Sequence, residues 1–193
     1  MRDTQKQDNT MAFTETLTEL STDSKDIKRK GWKNRITLLL KKNTRLIKNK
    51  PCRPSSADAL HWGQSLEQLL AHKYGKAAFF VFLKSEFCEE NLEFWSKCED
   101  YRTLSCEKEQ KTTANSIYEE FVRSEAPKEI NLDYLTRNAI TAGLSNPDPE
   151  LFIQAERKVY SLMENNAYPR FLQSQLYKDL CSTAAGKNKR SKS

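Results

Sequence analysis

Several motifs that mark common enzymes are absent from this 193-residue sequence. It contains no G-x-x-x-x-G-K-[ST], G-x-G-x-x-G, G-x-S-x-G or H-E-x-x-H pattern, so phosphate-loop, dinucleotide-binding and common hydrolase sites lack their minimum residues. The five glycines are too few for a turn-dense β sandwich, and no segment alternates apolar and polar residues as a half-buried strand does. No apolar run approaches the roughly 20 residues of a membrane-spanning helix.

Histidine and cysteine are also poorly placed for metal binding. The two histidines, His61 and His72, form no metal-spaced cluster with cysteine, so we expect no metal site and no cofactor. The cysteines are odd in number and include no C-x-x-C pair. Because no apolar signal segment begins the sequence, they are typical of reduced thiols in a cytoplasmic protein. They are Cys52, Cys88, Cys98, Cys106 and Cys181.

The sequence does contain enough apolar surface for one domain, together with a strong segregation of charge. Hydrophobic residues make up 37%, including nine Phe, seven Tyr and three Trp. Residues 28–53 hold eleven Lys and Arg and no acid, and residues 187–192 hold four more bases. Residues 54–186 hold 14 bases against 20 acids, so the net charge of +6 arises outside the core. Such basic segments favour phosphate, either of lipid headgroups or of nucleic acid.

Apolar residues within the basic segment fall on one face of a helix. Trp32 is followed by Ile36, Leu39 and Leu40 at i+4, i+7 and i+8, with bases beside the stripe. This pattern predicts an interfacial helix on an anionic membrane. The alternatives are a helix docked on the domain, or a nuclear-localisation or nucleic-acid patch. We favour lipid over nucleic acid because a patch that needs only charge has no use for an apolar stripe. The predicted lipid-binding residues are Trp32, Lys33, Arg35, Ile36, Leu39, Leu40, Lys41 and Lys42.

These features predict how the chain is divided and where it resides. We expect a cytoplasmic protein that is peripheral at the inner face of the plasma membrane, with the nucleus left open. The predicted segments are a disordered stretch (1–27), a basic amphipathic membrane-binding helix (28–50), a linker leading into the domain (51–61), the domain itself (62–180) and a basic tail (181–193).

Helical periodicity runs through the domain and predicts an all-α fold. The first helix starts at Trp62 and stops at Tyr74 and Gly75. Further helices are predicted over 76–84, 89–102, 107–124, from an N-cap at Asp133 to Gly143, from about 151 to 164, and over 168–180, the last two separated by a break at Asn165 and Asn166.

The segment 86–95 combines aromatic side chains with four carboxylates, which is more than a core helix needs. Glu89 and Glu90 do not form an obvious acid-base pair, because adjacent residues on a helix point in different directions. A Cys nucleophile with a histidine base stays open on sequence alone, although Cys98 lies on an apolar face that is typical of a core thiol. The segment therefore favours binding over catalysis.

Three stretches together resemble the signature of the regulator of G-protein signalling (RGS) domain. They are LKSEFCEENLEFW (83–95), APKEINLD (126–133), and YSLME (160–164) followed by YPRFL (168–172). The resemblance covers about residues 62–180 and extends to the basic N-terminal helix of the small family members. It implies about nine helices, arranged as a four-helix bundle and a subdomain made of the first and last helices.

The resemblance also implies a function and a partner. RGS domains activate the GTPase of heterotrimeric G-protein α subunits, and the α subunit itself carries GTP, Mg²⁺, an arginine finger and the glutamine that orients water. The RGS domain adds no catalytic residue; it holds the switch segments in their transition-state arrangement. The protein is therefore expected to be a monomeric activator rather than an enzyme. The alternative is a non-catalytic scaffold or receptor- or effector-binding module with the same fold.

Matching the family motif residue by residue implies the contact residues. They are Glu86, Phe87, Cys88, Glu90 and Asn91 in the first loop, Glu129 and Asn131 in the second, and Leu162, Asn166, Ala167 and Arg170 in the third. Asn91 matches the residue beside the catalytic glutamine, where an amide both donates and accepts hydrogen bonds. The simpler alternatives are a helix-start role for Asn91 and core packing for Leu162.

Two positions depart from the pattern of many family members. Cys88 stands where Ser is common, and Asn166 stands where Asp is common. Asn keeps hydrogen-bonding capacity but lacks the charge that strengthens a bond to a backbone amide. The combination is most similar to that of a small member for which the Gq-class α subunit is preferred over Gi-class subunits.

Overall fold

The computed structural model describes residues 56–185, and this part of the chain contains helices and no strand. Two π-helical segments, π1 (Tyr118–Val122) and π2 (Met163–Ala167), follow α5 and α7. The all-α prediction is confirmed. The α-helices are α1 (Ser56–Trp62), α2 (Leu66–Ala71), α3 (Lys73–Ser85), α4 (Glu90–Arg102), α5 (Glu107–Ile117), α6 (Tyr134–Gly143), α7 (Ile153–Leu162), α8 (Tyr168–Gln173) and α9 (Gln175–Ala185).

The described residues divide into two compact units. The bundle unit is Glu89–Met163, which carries α4, α5 with π1, α6 and α7. The terminal unit combines residues 56–88 with residues 164–185, which carry α1, α2, α3, α8 and α9. This division corresponds to the expected four-helix bundle and the expected subdomain of first and last helices.

Aromatic side chains form the core of the terminal unit. The Phe171 ring of α8 lies 5.4 Å from Phe79 and 5.6 Å from Phe82, both on α3, in edge-to-face geometry. Two tyrosines then join the C-terminal helices to α1 through their hydroxyls. Tyr168 donates to the Trp62 carbonyl at 2.8 Å, and Tyr177 donates to the carbonyl of Ala59 at 2.9 Å. Residues far apart in the sequence are thereby fixed to one another.

The bundle unit has its own aromatic core, built along α4. Phe94 packs on Phe121 and Phe152, and Tyr101 lies edge-on to Phe152 at 5.2 Å. The Trp95 ring, near the start of α4, lies 6.3 Å from Tyr160, near the end of α7. Since the end of α4 meets the start of α7, the two helices are antiparallel. The first turn of α4 and the last turn of α7 therefore lie at the same end of the unit.

The helix boundaries differ from the predicted ones at the start of the domain. α1 occupies part of the segment predicted as a linker. Tyr74 and Gly75 lie inside α3 rather than ending a helix, because His72 is the N-cap: its side chain accepts a hydrogen bond from the Tyr74 N–H at 3.3 Å. Gly75 serves close packing, since a Cβ there would lie 2.4 Å from the Leu69 carbonyl oxygen.

A second difference concerns the predicted break at Asn165 and Asn166. The chain continues there as π2, and the break falls later, at Ser174, which is extended. The Ser174 hydroxyl accepts from the Tyr177 N–H at 3.2 Å and so starts α9. An asparagine pair indicates a turn only statistically, whereas the serine supplies the capping hydrogen bond.

One partly buried cation, Lys128, links α4, π1 and the loop after π1. The Lys128 ammonium lies 2.6 Å from Glu93 and 2.8 Å from Glu120, and Glu120 also accepts from Lys97 at 2.6 Å. Burial raises the pKa of Glu93 despite the opposing effect of Lys128. Burial would also raise the pKa of Glu120, but the hydrogen bonds from Lys128 and Lys97 outweigh it and lower that pKa. We call these four residues the lysine cluster.

Among the helices of residues 56–185, none is long and apolar enough to cross a membrane. The predicted membrane-binding residues, Trp32 to Lys42, lie outside the described part of the chain.

Replacing Lys128 by Met should destabilise the protein by about 3 kcal/mol, because it leaves the buried Glu93 carboxylate without its cation. A matched Lys128→Met/Glu93→Gln double variant should recover most of this loss. Because the folded-state pKa of Glu93 is raised, protonation favours the folded state, so the penalty of Lys128→Met should be smaller at about pH 5 than at about pH 8. Urea unfolding at both pH values measures this. Equal penalties for the single and double variants would contradict it.

Candidate functional site

The first predicted loop begins at the C-terminus of α3, where the backbone turns sharply. The Cys88 N–H donates to the Leu83 carbonyl at 3.1 Å, which closes the last turn in the manner of a Schellman motif. The residue before it, Phe87, has φ 56°, a left-handed conformation that usually belongs to glycine. Its ring is nevertheless 89% exposed. A strained, exposed aromatic residue contributes little to the core and is typical of a contact surface.

Cys88 makes a second bond to the same carbonyl. Its thiol lies 3.7 Å from the Leu83 oxygen, at the length expected for a weak S–H donor. A serine hydroxyl at this position would form a shorter and stronger bond with less bulk. Cysteine in place of serine at position 88 therefore changes both the side-chain volume and the hydrogen bonding of the first loop.

The third predicted loop is joined to the first within the terminal unit. Arg170 donates from Nε and Nη2 to the same carboxylate oxygen of Glu86, at 2.9 and 2.6 Å. Its remaining nitrogen, Nη1, donates to the Asn166 backbone oxygen at 3.1 Å and to the Asn166 side-chain oxygen at 3.4 Å. One guanidinium thus connects three of the predicted contact residues.

Ala167 does not belong to the exposed part of this surface. It is 5% exposed and lies directly before Tyr168, whose hydroxyl is fixed on α1. A small side chain at this position allows the loop to lie close to the core. Its role in the structure is to support the neighbouring Asn166 and Arg170, which are exposed.

In the bundle unit, Glu90 and Asn91 form the first turn of α4. Asn91 is only 6% exposed, and its Nδ2 donates to the Glu90 side-chain oxygen at 3.0 Å. Burial raises the pKa of Glu90; its own backbone N–H opposes the rise, and the charges of Glu89 and Glu93 add to it. The amide of Asn91 is therefore held in a defined orientation, as a residue that positions a partner's side chain must be.

The second predicted loop is attached to the end of π1, where helix carbonyls have no partner within the helix. The Glu120 carbonyl accepts from the Lys128 N–H, and the Phe121 carbonyl accepts from the Ile130 N–H, both at 3.0 Å. The Val122 carbonyl accepts from Arg137 at 2.7 Å. The loop therefore completes the hydrogen bonding of the helix end, and this fixes its position.

Glu129 and Asn131 differ in how far they are committed to this scaffold. The Glu129 carboxylate accepts from the Glu125 N–H at 2.9 Å and pairs with Arg137 at 2.8 Å; these hydrogen bonds, that of Arg137 first, lower its pKa. Glu125 has φ 61°, so the carboxylate stabilises a strained turn. Asn131 is exposed. Glu129 therefore chiefly stabilises the second loop, whereas the side chain of Asn131 is exposed on the surface of that loop.

Leu162 ends α7 and is 39% exposed, so it is not simply a core residue. Because α4 and α7 are antiparallel, it lies at the same end of the bundle unit as Asn91. The lysine cluster brings the second loop to that end as well, since Lys128 contacts Glu93 one turn after Glu90. The bundle unit thus gathers Glu90, Asn91, Glu129, Asn131 and Leu162 at one end, and the terminal unit gathers Glu86, Phe87, Cys88, Asn166, Ala167 and Arg170.

Sequence reasoning missed two kinds of residue. Lys128 of the loop and Arg137 of α6 support the second loop, yet a single base in the sequence carries no signal of such a role. Tyr134 and Leu135, which were not among the predicted contact residues, are 74% and 77% exposed at the start of α6. The signal that was available is the N-cap: Asp133 accepts from the Thr136 N–H at 3.0 Å and sets which faces of α6 are buried.

The chemistry of the described residues favours binding. Cys98 is buried, and burial raises its pKa well above the ordinary value, so its thiol is not a nucleophile near neutral pH. No cluster of three or more His, Cys, Asp or Glu suited to a metal occurs within residues 56–185. The surfaces described above present amide, carboxylate, guanidinium and apolar groups in fixed positions.

Comparison with known proteins identifies the family. Residues 65–180 match the family model described as "Regulator of G protein signaling domain". The chain is 44% identical to "Regulator of G-protein signaling 8" of Mus musculus over 163 residues, which is 79% of this chain and 91% of that protein. It is 46% identical to "Regulator of G-protein signaling 5" of Mus musculus over 128 residues, 66% of this chain and 71% of that protein. The chain therefore belongs to the regulator of G-protein signalling family.

Proposed function

We propose that this protein is a GTPase-activating protein for heterotrimeric G-protein α subunits and so ends receptor signalling. The observation that carries the proposal is the fixed orientation of Asn91, a buried amide hydrogen-bonded to Glu90 in the first turn of α4. An amide in this place can accept and donate at once, which suits the orientation of a partner's glutamine. No nucleophile or metal ligand of this chain is needed, because GTP and Mg²⁺ belong to the partner.

The mechanism is stabilisation of the transition state by binding. An activator accelerates hydrolysis only if it binds the transition-state arrangement of the switch segments more tightly than the ground-state arrangement, and about 1.4 kcal/mol of difference gives a tenfold rate increase. Loops that are already fixed lose little entropy on binding. The second loop, which is hydrogen-bonded to the end of π1, supplies this rigidity. Phe87, Asn131 and Leu162 supply exposed contact groups.

We also propose a preference for Gq-class over Gi-class α subunits, set by Cys88 and Asn166. The bulkier thiol hydrogen-bonds weakly to Leu83, and the neutral amide of Asn166 offers a weaker acceptor than a carboxylate. Both changes reduce how well the first and third loops fit switches that require Ser and Asp at these positions.

We further propose that residues 28–50 recruit the protein to anionic lipid at the inner face of the plasma membrane. The apolar stripe and the eleven bases between residues 28 and 53 support this. Each Lys or Arg near an anionic surface contributes about 1 kcal/mol. Recruitment would concentrate a monomeric activator at the inner face of the plasma membrane.

The Asn91→Ala variant should lower the acceleration of GTP hydrolysis about 100-fold, the size of effect seen when one oriented hydrogen-bonding group is removed from a transition state. The protein should stay folded, because Asn91 lies in the first turn of α4 and alanine is a good helix former. Single-turnover phosphate release from GTP-loaded α subunit measures it.

The matched control is Asn138→Ala, an exposed asparagine of α6 outside the predicted contact set. It should retain wild-type acceleration. Wild-type activity in Asn91→Ala would remove Asn91 from the mechanism. If the wild-type protein binds an α subunit without accelerating hydrolysis, the scaffold alternative is favoured instead.

The Cys88→Ser/Asn166→Asp variant should increase acceleration with a Gi-class α subunit about tenfold or more, since both loops regain the groups that are common in the family. Acceleration with a Gq-class subunit should change less. The same single-turnover assay across both classes tests this. If the ratio of acceleration between the two classes of α subunit is unchanged, the proposed role of residues 88 and 166 in selectivity is wrong.

Neutralising Lys33, Arg35, Lys41 and Lys42 to Gln in the full-length chain should weaken binding to phosphatidylserine-containing vesicles at least about 100-fold. The matched control replaces the four bases of the tail by Gln: Lys187, Lys189, Arg190 and Lys192. It removes the same amount of charge from a segment outside the apolar stripe. Co-sedimentation with vesicles measures binding. Equal wild-type binding to neutral and anionic vesicles would rule out the electrostatic part of the proposal.

A further inference from the structure

We propose that Arg170 transmits the identity of residue 166 to the first loop, so that the effect of residue 166 on selectivity depends on a three-residue bridge rather than on residue 166 alone. The proposal rests on the proposed GTPase-activating function. It adds a positioning role for Arg170 and Glu86. We call Glu86, Asn166 and Arg170 the arginine bridge.

The geometry divides the guanidinium between two loops. One edge of Arg170, Nε and Nη2, faces the Glu86 carboxylate at 2.9 and 2.6 Å, whereas Nη1 faces the oxygens of Asn166 at 3.1 and 3.4 Å. Only the Glu86 contact is charge-assisted on both sides. With a neutral residue at 166, the cation is therefore held chiefly by the first loop.

The bridge is not rigidly buried, so the balance between its two contacts can shift. The side chains of Arg170 and Glu86 are 49% and 32% exposed. A carboxylate at position 166 would compete for the same cation, because one guanidinium charge would then serve two acids. Glu86 would be held less firmly, next to the displayed ring of Phe87 and the thiol of Cys88.

The consequence is that a substitution at residue 166 acts in two places. It changes the acceptor that the third loop offers, and it also changes how firmly the first loop is fixed. A lysine could not reproduce this behaviour, since it is a point charge without the two edges of the guanidinium.

A double-mutant cycle on the full-length protein tests the proposal. The four proteins are wild type, Glu86→Gln, Asn166→Asp and the double variant, assayed by single-turnover hydrolysis with Gq-class and Gi-class α subunits. Glu86→Gln should reduce acceleration at least about threefold more when residue 166 is Asn than when it is Asp. Additivity within about twofold, or coupling of the opposite sign, would overturn the proposal.

A measurement on the free protein separates this inference from the function on which it rests. The Nε–H resonance of Arg170, assigned by its loss in Arg170→Lys, should exchange with solvent faster in Glu86→Gln, and the increase should be smaller when Asp is present at 166. Arg157→Lys and Glu67→Gln, both at exposed positions outside the contact set, are the matched controls and should leave it unchanged.

The two readouts distinguish the possible failures. If wild type accelerates no α subunit, the proposed function fails and the resonance alone decides whether the bridge exists. If wild type accelerates hydrolysis but Glu86→Gln leaves the Nε–H exchange unchanged, the function stands and the bridge is refuted.

Discussion

The predicted contact surface of the bundle unit depends on the ion pairs that the Lys128 ammonium makes. The ammonium lies between Glu93, which is on α4 one turn after Glu90, and Glu120, which is on π1. Glu93 is nearly buried, and a buried charge that loses its partner is costly, so Glu93 does not tolerate a change in the lysine's position. Because the second loop starts at Lys128 itself, the cation fixes the loop relative to α4. Asn91 and Asn131 are held at the same end of the bundle for this reason.

The terminal unit reaches a comparable result with apolar packing and backbone geometry. Phe171 packs on Phe79 and Phe82 of α3, and this places α8 against the helix whose end forms the first loop. The left-handed backbone of Phe87 then turns its ring outward at the cost of local strain. The core thus determines the position of the loop, while the turn determines the direction in which its side chain points.

How much the sequence could predict follows from the range of each interaction. Apolar spacing and the Asp133 N-cap are local, so α4 and α6 were predicted nearly to the residue. The position of Gly75 depends on the approach of Leu69 in three dimensions, and periodicity carries no record of that contact. The motif resemblance implied a set of contact residues, but it did not show that Glu129 closes a turn or that Ala167 is buried. Those roles depend on Arg137 and Tyr168, whose partners lie up to 106 residues away.

The lysine cluster and the arginine bridge differ in what they contribute to stability. The lysine cluster includes a nearly buried carboxylate, so altering it endangers folding. Exposed ion pairs like those of the arginine bridge typically add only about 0–1 kcal/mol to stability. Substitutions at Glu86 or Arg170 should therefore leave the domain folded, whereas loss of the cation beside Glu93 should be costly.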